Sequence, residues 1–378
     1  MPLEIVSGRS KSGKSKYIYD KIRSLSESGE QVMLIVPEQY SHAAEKKLLD
    51  TVEAIKDNCV EVFSFNRLAS TTRQRLGYPH VRKLDAVGKA LIVRNVLNSN
   101  KFTFYRNACE QKGFVEMVSQ TIGEFKKYML LPELLSDTAD NTDDEILAMK
   151  LRDLSVMYSE YENAIAVNYA DSDDSLTQLT SMLSNTDIYK AKHIFFDEFS
   201  TFIPQELKVI SALCSGSASV CVALCCDETE PNTTLFMPTC ETINQLKKCT
   251  SSPVKITRLE GTRFDTAEMA FLEKYLYTFP SKKFSGDCEN IKVYALANPR
   301  SEVEICAANI SMLVREQGYM YKDIGVICSD IDMYERHIEH VFELNNIEYF
   351  TDNKNDIINH HLIRFVLGLL ETYIQEDN

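Results

Sequence analysis

The chain alternates short, mostly apolar runs with longer stretches in which apolar residues recur every three or four positions. Leu3-Glu4-Ile5-Val6 reads as a short buried strand, and from Lys14 onward Ile18, Ile22 and Leu25 fall at helical spacing until Gly29 breaks the pattern. Residues 31–37 (QVMLIVP) predict a second strand stopped by its proline, and Ala44, Leu48, Val52 and Ile55 share one face of the helix expected after it. Residues 59–65 (CVEVFSF) predict a third strand. Strands alternating with helices predict an α/β fold with a parallel sheet and right-handed crossovers.

The rhythm then changes. From about residue 85 to 185 the pattern is helical, clearest where Leu147, Leu151, Leu154, Tyr158, Tyr161 and Ile165 form a core-facing stripe. The acidic stretch 137–145 ahead of it lacks the turn glycine and closing glutamate of a calcium loop, and reads as a solvated linker and helix N-terminus. Strand character returns at 192–199 and 219–228, with an amphipathic helix (204–214) between them. The sheet is thus expected to be interrupted by an all-α insert and then completed. After a polar stretch (229–252), a second α/β pattern predicts strands at 290–296, 323–329 and 347–350, helices at 302–317 and 332–345, and a last helix from His361. Three strands are too few to close a doubly wound sheet, so the chain is expected to be cut inside that domain.

Composition narrows the class. At 378 residues the chain is expected to hold more than one unit, divided as 1–84 and 186–284 (one sheet domain in two parts), 85–185 (helical insert) and 285–378 (a truncated second domain). The net charge of −14 speaks against holding nucleic acid through overall charge, and leaves room only for a local basic groove. The eleven cysteines include no CxxC pair, and the nearest cluster (Cys221, Cys225, Cys226) sits in an apolar strand run, so reduced core thiols are expected. With no cationic-apolar leader and no long apolar run, the expectation is a cytoplasmic protein with no membrane association.

The candidate chemistry lies at strand ends. Gly8-Arg9-Ser10-Lys11-Ser12-Gly13-Lys14-Ser15 matches GxxxxGK[ST] between a strand and a helix. Its glycines let backbone N–H groups face phosphates, with Lys11, Ser12 and Gly13 lining the turn; Lys14 reaches the outer phosphates and Ser15 ligates Mg²⁺. The expected ligands are therefore ATP and Mg²⁺. Such a loop needs a carboxylate on a neighbouring strand, and Ile194-Phe195-Phe196-Asp197-Glu198 supplies Asp197 for the metal and Glu198 to orient or deprotonate water. Other candidates fail. Glu124-Phe125-Lys126 and Asp352-Asn353-Lys354 carry a nuclease-like acid-x-Lys element without an upstream acidic partner, and His337, His340, His360 and His361 lack further ligands to complete a zinc site.

The segments GRSKSGKS, LIVPEQYSHAAEKKLL, VFSFNRLA, LDAVGKALIVRNVL, GFVEMVSQTIGEFKKY, LRDLSVMYSEYENAI and IFFDEFSTFIPQELKVISAL, in this order, resemble the N-terminal part of the AddB (RexB) family. These proteins are the second subunits of two-subunit ATP-dependent helicase–nucleases that process DNA ends. More remotely the chain is similar to UvrD-type helicases. The resemblance implies an AddA-like motor and nuclease subunit as partner, single-stranded and duplex-end DNA as ligand, and recognition of a regulatory DNA sequence, Chi. It places the finger arginine at Arg263 and the nuclease domain with its iron–sulfur cluster outside this chain, so no cysteine here is assigned to a cluster. Candidate strand contacts are Gln39, Tyr40, Ser64, Phe65 and Arg67, which follow sheet strands on the ligand-collecting edge. Parts of a motor are missing: no adenine-reading Gln segment precedes the first strand, and the run that senses γ-phosphate and couples it to DNA is replaced by CDETEPNTTLF (226–236). A helicase-like domain turned DNA-handling scaffold is therefore expected. Two alternatives stand beside it: a free-standing P-loop ATPase or kinase, and a structural docking module with a vestigial loop.

Overall fold

The computed structural model describes all residues except 1–2, 52–58, 80–82, 112, 167–168, 170, 228–233, 262, 352–359 and 377–378. The strands are β1 (Leu3–Gly8), β2 (Gln31–Ile35), β3 (Val60–Phe63), β4 (Lys192–Phe196), β5 (Ser219–Cys225) and β6 (Lys255–Arg258). The first helices are α1 (Lys14–Glu27), α2 (Ser41–Thr51) and α3 (Phe65–Arg75). Then come α4 (Ala86–Ser99), α5 (Phe114–Lys127), α6 (Pro132–Asp140), α7 (Glu145–Ile165) and α8 (Ser175–Ser184). They are followed by α9 (Pro204–Gly216), α10 (Met237–Lys247), α11 (Ala267–Tyr275), α12 (Pro299–Gln317), α13 (Ile331–Leu344) and α14 (His361–Glu376). The chain divides into two compact units, Met1–Cys288 and Glu289–Asn378.

The first unit is built on one sheet of order β3-β2-β4-β5-β1-β6, parallel at every pairing. Strands buried on both faces read as near-continuous apolar runs, which is why they were legible in the sequence. Alternate residues feed two cores. Leu3, Ile5, Ile194, Phe196, Val220 and Val222 face α3, α8 and α9 on one side. Val6, Phe195, Cys221 and Ala223 face α1 and α2 on the other. Local chemistry sets the boundaries: Gly29 (φ 77) closes the turn after α1, and Ser64 caps α3 by accepting from Arg67 N–H.

Between β3 and β4, helices α4 to α7 bury a separate core of Val93, Phe114, Ile122, Tyr158, Tyr161 and Ile165. The expected stripe on α7 is buried in its C-terminal half, whereas Leu147 in its first turn stays exposed. Helix α8 falls inside the same span but packs Leu176, Leu179 and Leu183 onto the sheet. The stretch 137–145 splits: its first part belongs to α6, and Asp144 caps α7 by accepting from the N–H groups of Ile146 and Leu147.

Three expectations need correction. Strand β6 and helix α10 went unread because β6 has only four residues, of which Ile256 alone is apolar, and α10 lies within the stretch taken as polar. In the second unit α12, α13 and α14 appear where expected, but 290–296, 323–329 and 347–350 carry no strand. A strand exists only through a ladder, and here Val293, Ile327 and Phe350 are 91, 98 and 88% exposed with no segment paired to theirs among the described residues. Val52 and Ile55 lie outside the described residues. Among the described residues no helix is long and apolar enough to cross a membrane.

Candidate functional site

Because all six strands are parallel, the loops after them collect at one edge of the sheet. The loop from Gly8 to Ser15 is folded by two left-handed residues, Lys11 (φ 55) and Gly13 (φ 96). A Cβ on Gly8 would stand 2.4 Å from Ser12 Oγ and 2.8 Å from Leu259 O, so the close approach of the two backbones requires glycine. Helix α1 starts immediately after Gly13, which brings no side-chain cap, so the positive end of the helix faces the loop without an internal acceptor. Lys14 Nζ donates to Gly8 O (2.9 Å) and Arg9 O (2.7 Å). Ser12 Oγ is buried without a partner.

The carboxylates arrive from β4. Asp197 is buried, and its carboxyl is pushed above the usual range by burial and then by the negative charge of Glu198. Glu198 sits in the left-handed region (φ 65), at a cost of about 1–2 kcal/mol for a residue with a Cβ, and accepts from Ser15 Oγ at 3.4 Å. Tyr19 of α1 lies beside both acids; burial and the two negative charges push its hydroxyl upward, and Lys47 Nζ stands 4.2 Å from its ring centroid. Neither Tyr19 nor Lys47 could be found from the sequence, since each joins the site through helix packing. Arg263 follows β6: its N–H donates to Lys11 O at 3.3 Å, and its guanidinium reaches within 3.4 Å of where a Cβ on Gly13 would be. Lys11 Nζ lies over the Phe264 ring at 5.2 Å.

These residues fit a nucleotide phosphate. An uncapped helix start, an orphaned buried hydroxyl and the cations of Lys14 and Arg263 at the same loop, next to paired carboxylates, are the groups that could hold an anion. Among the described residues no group of three or more His, Cys, Asp or Glu could hold a metal, the four histidines included. Asp352-Asn353-Lys354 and residues 228–233 of the substituted coupling run lie outside the described residues.

The expected strand contacts divide by exposure. Gln39 and Tyr40 sit exposed on a 3₁₀ turn (Glu38–Tyr40) after β2. Arg67 is exposed on α3, donates to Glu45 Oε1 at 2.7 Å and lies over the Phe63 ring. Ser64 and Phe65 are buried: the first caps α3, and the second packs against Phe196, Phe199 and Phe202 at ring distances of 5.8, 5.6 and 6.4 Å. Beside them runs a cleft of about 430 Å³, lined by Pro37, Asn66, Lys127, Ser172 and Gln205 among others.

Behind that cleft the sequence hid an ionic network. Lys126 is almost fully buried and pairs with Glu162 (2.6 Å), Asp171 (3.0 Å) and Asp174 (2.7 Å). Lys89 pairs with Asp173, and Tyr161 Oη donates to Asp171. Gln205 Nε2 donates to Asp173 O (2.9 Å) and Thr177 Oγ1 (3.1 Å), so α9, which follows the Asp197–Glu198 loop, reaches the same network. The Glu124-Phe125-Lys126 element is thus a structural cation beside an exposed acid.

Comparison with known proteins now adds what geometry alone does not. The sequence model of the family described as ADDB, N-terminal, matches residues 5–273. The chain belongs to this family. The matched span of this AddB-family chain takes in the Gly8–Ser15 loop, the helical insert, Asp197, Glu198 and Arg263. The B-type subunit of the ATP-dependent helicase/deoxyribonuclease of Clostridium acetobutylicum is 33% identical over 389 residues, covering 99% of this chain and 34% of the relative. Its counterpart in Thermoanaerobacter sp. is 33% identical over 390 residues, with the same coverage of each chain. That of Clostridium perfringens is 32% identical over 381 residues, covering 97% of this chain and 33% of its own. The AddB-family chain thus spans about a third of the length of the curated relatives it matches.

Proposed function

We propose that this chain is the nucleotide-holding and single-strand-handling part of a B-type subunit in an AddAB-like helicase–nuclease that processes broken DNA ends, with an AddA-like partner supplying the motor. One observation carries the nucleotide half: Ser15 of the phosphate loop meets Glu198, 183 residues away, beside buried Asp197. ATP would be held by Gly8, Lys11, Ser12, Gly13, Lys14 and Ser15, and Mg²⁺ by Ser15 and Asp197, the remaining ligands being phosphate and water as Mg²⁺ prefers. Bound there, Mg·ATP supplies a phosphoryl group open to transfer to water. Lys14 and Arg263 bring positive charge to the loop, and Glu198 offers a carboxylate to orient or deprotonate a water. Since the coupling run is replaced at 226–236, nucleotide turnover does not drive movement along DNA in this reading, and the chain serves as a scaffold past which the strand runs.

The strand half rests on the exposed residues at the same edge. Gln39, Tyr40 and Arg67 would meet the strand, with Ser64 and Phe65 fixing the start of α3, which carries Arg67. Tyr40 offers a stacking face and Arg67 a phosphate contact, a pairing suited to single strands. Readout of a regulatory sequence such as Chi would take place here.

Titration of a fluorescent ATP analogue with Mg²⁺ tests the first half, on the protein as the cell makes it. Binding by wild type and a loss of about tenfold or more in Lys14→Ala are expected, equivalent to about 1.4 kcal/mol; no binding by wild type sinks the nucleotide reading. Single-stranded oligonucleotides should bind with log affinity falling by about 0.7 per phosphate contact for each tenfold rise in salt. Absent or salt-insensitive binding sinks the strand reading.

A further inference from the structure

Arg9 occupies a variable position of the phosphate loop, yet its guanidinium is almost fully used. Nε donates to both Glu273 carboxylate oxygens at 3.1 Å and Nη1 to Asp227 Oδ2 at 3.2 Å. Nη2 donates to the backbone carbonyls of Glu273 (2.8 Å) and Lys274 (3.4 Å). The group also lies 5.1 Å from the Phe236 ring centroid, and its side chain is only 13% exposed.

The accounting at the end of α11 explains the arrangement. A helix leaves its last four carbonyls without intrahelical partners. In α11 the carbonyl of Leu272 is taken by Leu276 N–H and that of Tyr275 by Thr278 N–H, while those of Glu273 and Lys274 are taken by Arg9. A cation at this place also suits the negative end of the helix dipole, and the Glu273 side chain adds an ion pair. On the loop side, Arg9 O accepts from Ser12 N–H (3.2 Å) and from Lys14 Nζ (2.7 Å). One residue therefore cross-ties the first turn of the phosphate loop, its lysine and the C-terminus of α11.

We infer that Arg9 is a positioning residue for the phosphate loop, clamping it to the end of α11 so that nucleotide occupancy and the order of α11 are coupled. The inference rests on the nucleotide reading above. For Lys14 to serve a phosphate, its ammonium must leave the carbonyls of Gly8 and Arg9. The strap is then held by the Arg9 side chain and the Ser12 N–H bond, together with the backbone bonds from Cys226 to Gly8 O and from Arg263 to Lys11 O. Asp227 and Glu273 hold that side chain against the end of α11.

The test compares wild type, Arg9→Ala, Arg9→Lys and Glu273→Gln in the protein as the cell makes it. Affinity for Mg·ATP is measured by fluorescent analogue, and α11 is followed by hydrogen–deuterium exchange with and without nucleotide. Arg9→Ala should bind about tenfold to a hundredfold more weakly, because misplacing a binding group by a fraction of an ångström is enough for such losses. Arg9→Lys should recover part of the affinity, since it keeps the ion pair with Glu273 but cannot cap both carbonyls. Nucleotide should slow α11 exchange in wild type and leave it unchanged in Arg9→Ala. If circular dichroism shows Arg9→Ala unfolded, Glu273→Gln carries the comparison, with a smaller loss in the same direction. Wild-type affinity in the folded variants, or equal protection of α11 in wild type and Arg9→Ala, overturns the inference alone. Absence of nucleotide binding by wild type overturns the reading beneath it as well.

Discussion

At the scale of single residues, the loop from Gly8 to Ser15 shows what fixed spacing conveys. The turn from Gly8 to Ser15 was legible as a strand-to-helix connection, because GxxxxGK[ST] ties each residue type to one position between β1 and α1. Gly8 is needed for a local reason, the approach of Ser12 Oγ and Leu259 O to its missing Cβ. Of those two neighbours the hydroxyl can rotate away, but the backbone carbonyl cannot. Gly8→Ala should therefore shift the loop, costing about 1–3 kcal/mol of stability as overpacking does and weakening ATP-analogue binding. Thermal unfolding by circular dichroism and the same titration check this, and unchanged affinity would show that the loop tolerates the methyl group. Arg9 was not legible, because a variable position carries no signal and its partners Asp227 and Glu273 lie more than 200 residues away. Phe65 shows the opposite error: a ring expected on the strand face follows β3 directly and is absorbed by the aromatic cluster beside β4.

At the scale of elements, α5 was read correctly as a helix, but its job was not visible. Lys126 sits on its buried face, where burial by itself draws the ammonium pKa down; hydrogen bonds to Asp174 and Glu162 and the charge of Asp171 more than reverse this and raise it. Removing only the charge, with Lys126→Met, would leave Asp171 and its neighbours without their main counter-ion. A loss of about 3–5 kcal/mol is expected, as for other buried ion pairs broken on one side. Urea unfolding followed by far-ultraviolet circular dichroism suits a protein with no tryptophan. A change below about 1 kcal/mol would show that the network behaves as a surface ion pair. Gly123 belongs to the same packing, since a Cβ there would stand 2.9 Å from Asp173 Oδ2. The strand readings that failed share one cause. Segment β6 is a strand only because β1 lies alongside, and 290–296, 323–329 and 347–350 have strand-like sequences without a paired neighbour among the described residues. Pattern reports what a segment can bury, whereas a ladder needs a partner.

At the scale of the whole molecule, the acid response depends on carboxylates displaced in both directions. Glu4, on the strand that joins β5 to β6, is pushed up by burial, but hydrogen bonds from Lys21, Lys255, Thr257 and Tyr17 outweigh this and hold it at about 2, against an ordinary 4.5. A depressed carboxyl stabilises the fold above its unfolded value, and that contribution is lost as pH falls from 4.5 toward 2. Asp197, Glu162 and Asp174 are displaced upward, chiefly by burial, so their protonation on acidification favours the folded state. Glu4→Gln should therefore cost about 1–2 kcal/mol near neutral pH, with the difference from wild type closing as pH approaches 2. Urea unfolding across that range checks it; a pH-independent difference would mean that Glu4 acts through packing and not charge. The sequence by itself determined the parallel α/β class, the helical interruption, the tight loop between β1 and α1 and the acidic pair that follows β4, because periodicity and fixed motif spacing are local properties of a chain. Only the tertiary structure decided which side chains meet. It seated Phe65 in the core, hung Arg263 over Gly13, buried Lys126 among three carboxylates and closed α11 with Arg9, since contacts across hundreds of residues are set by how strands are ordered in the sheet.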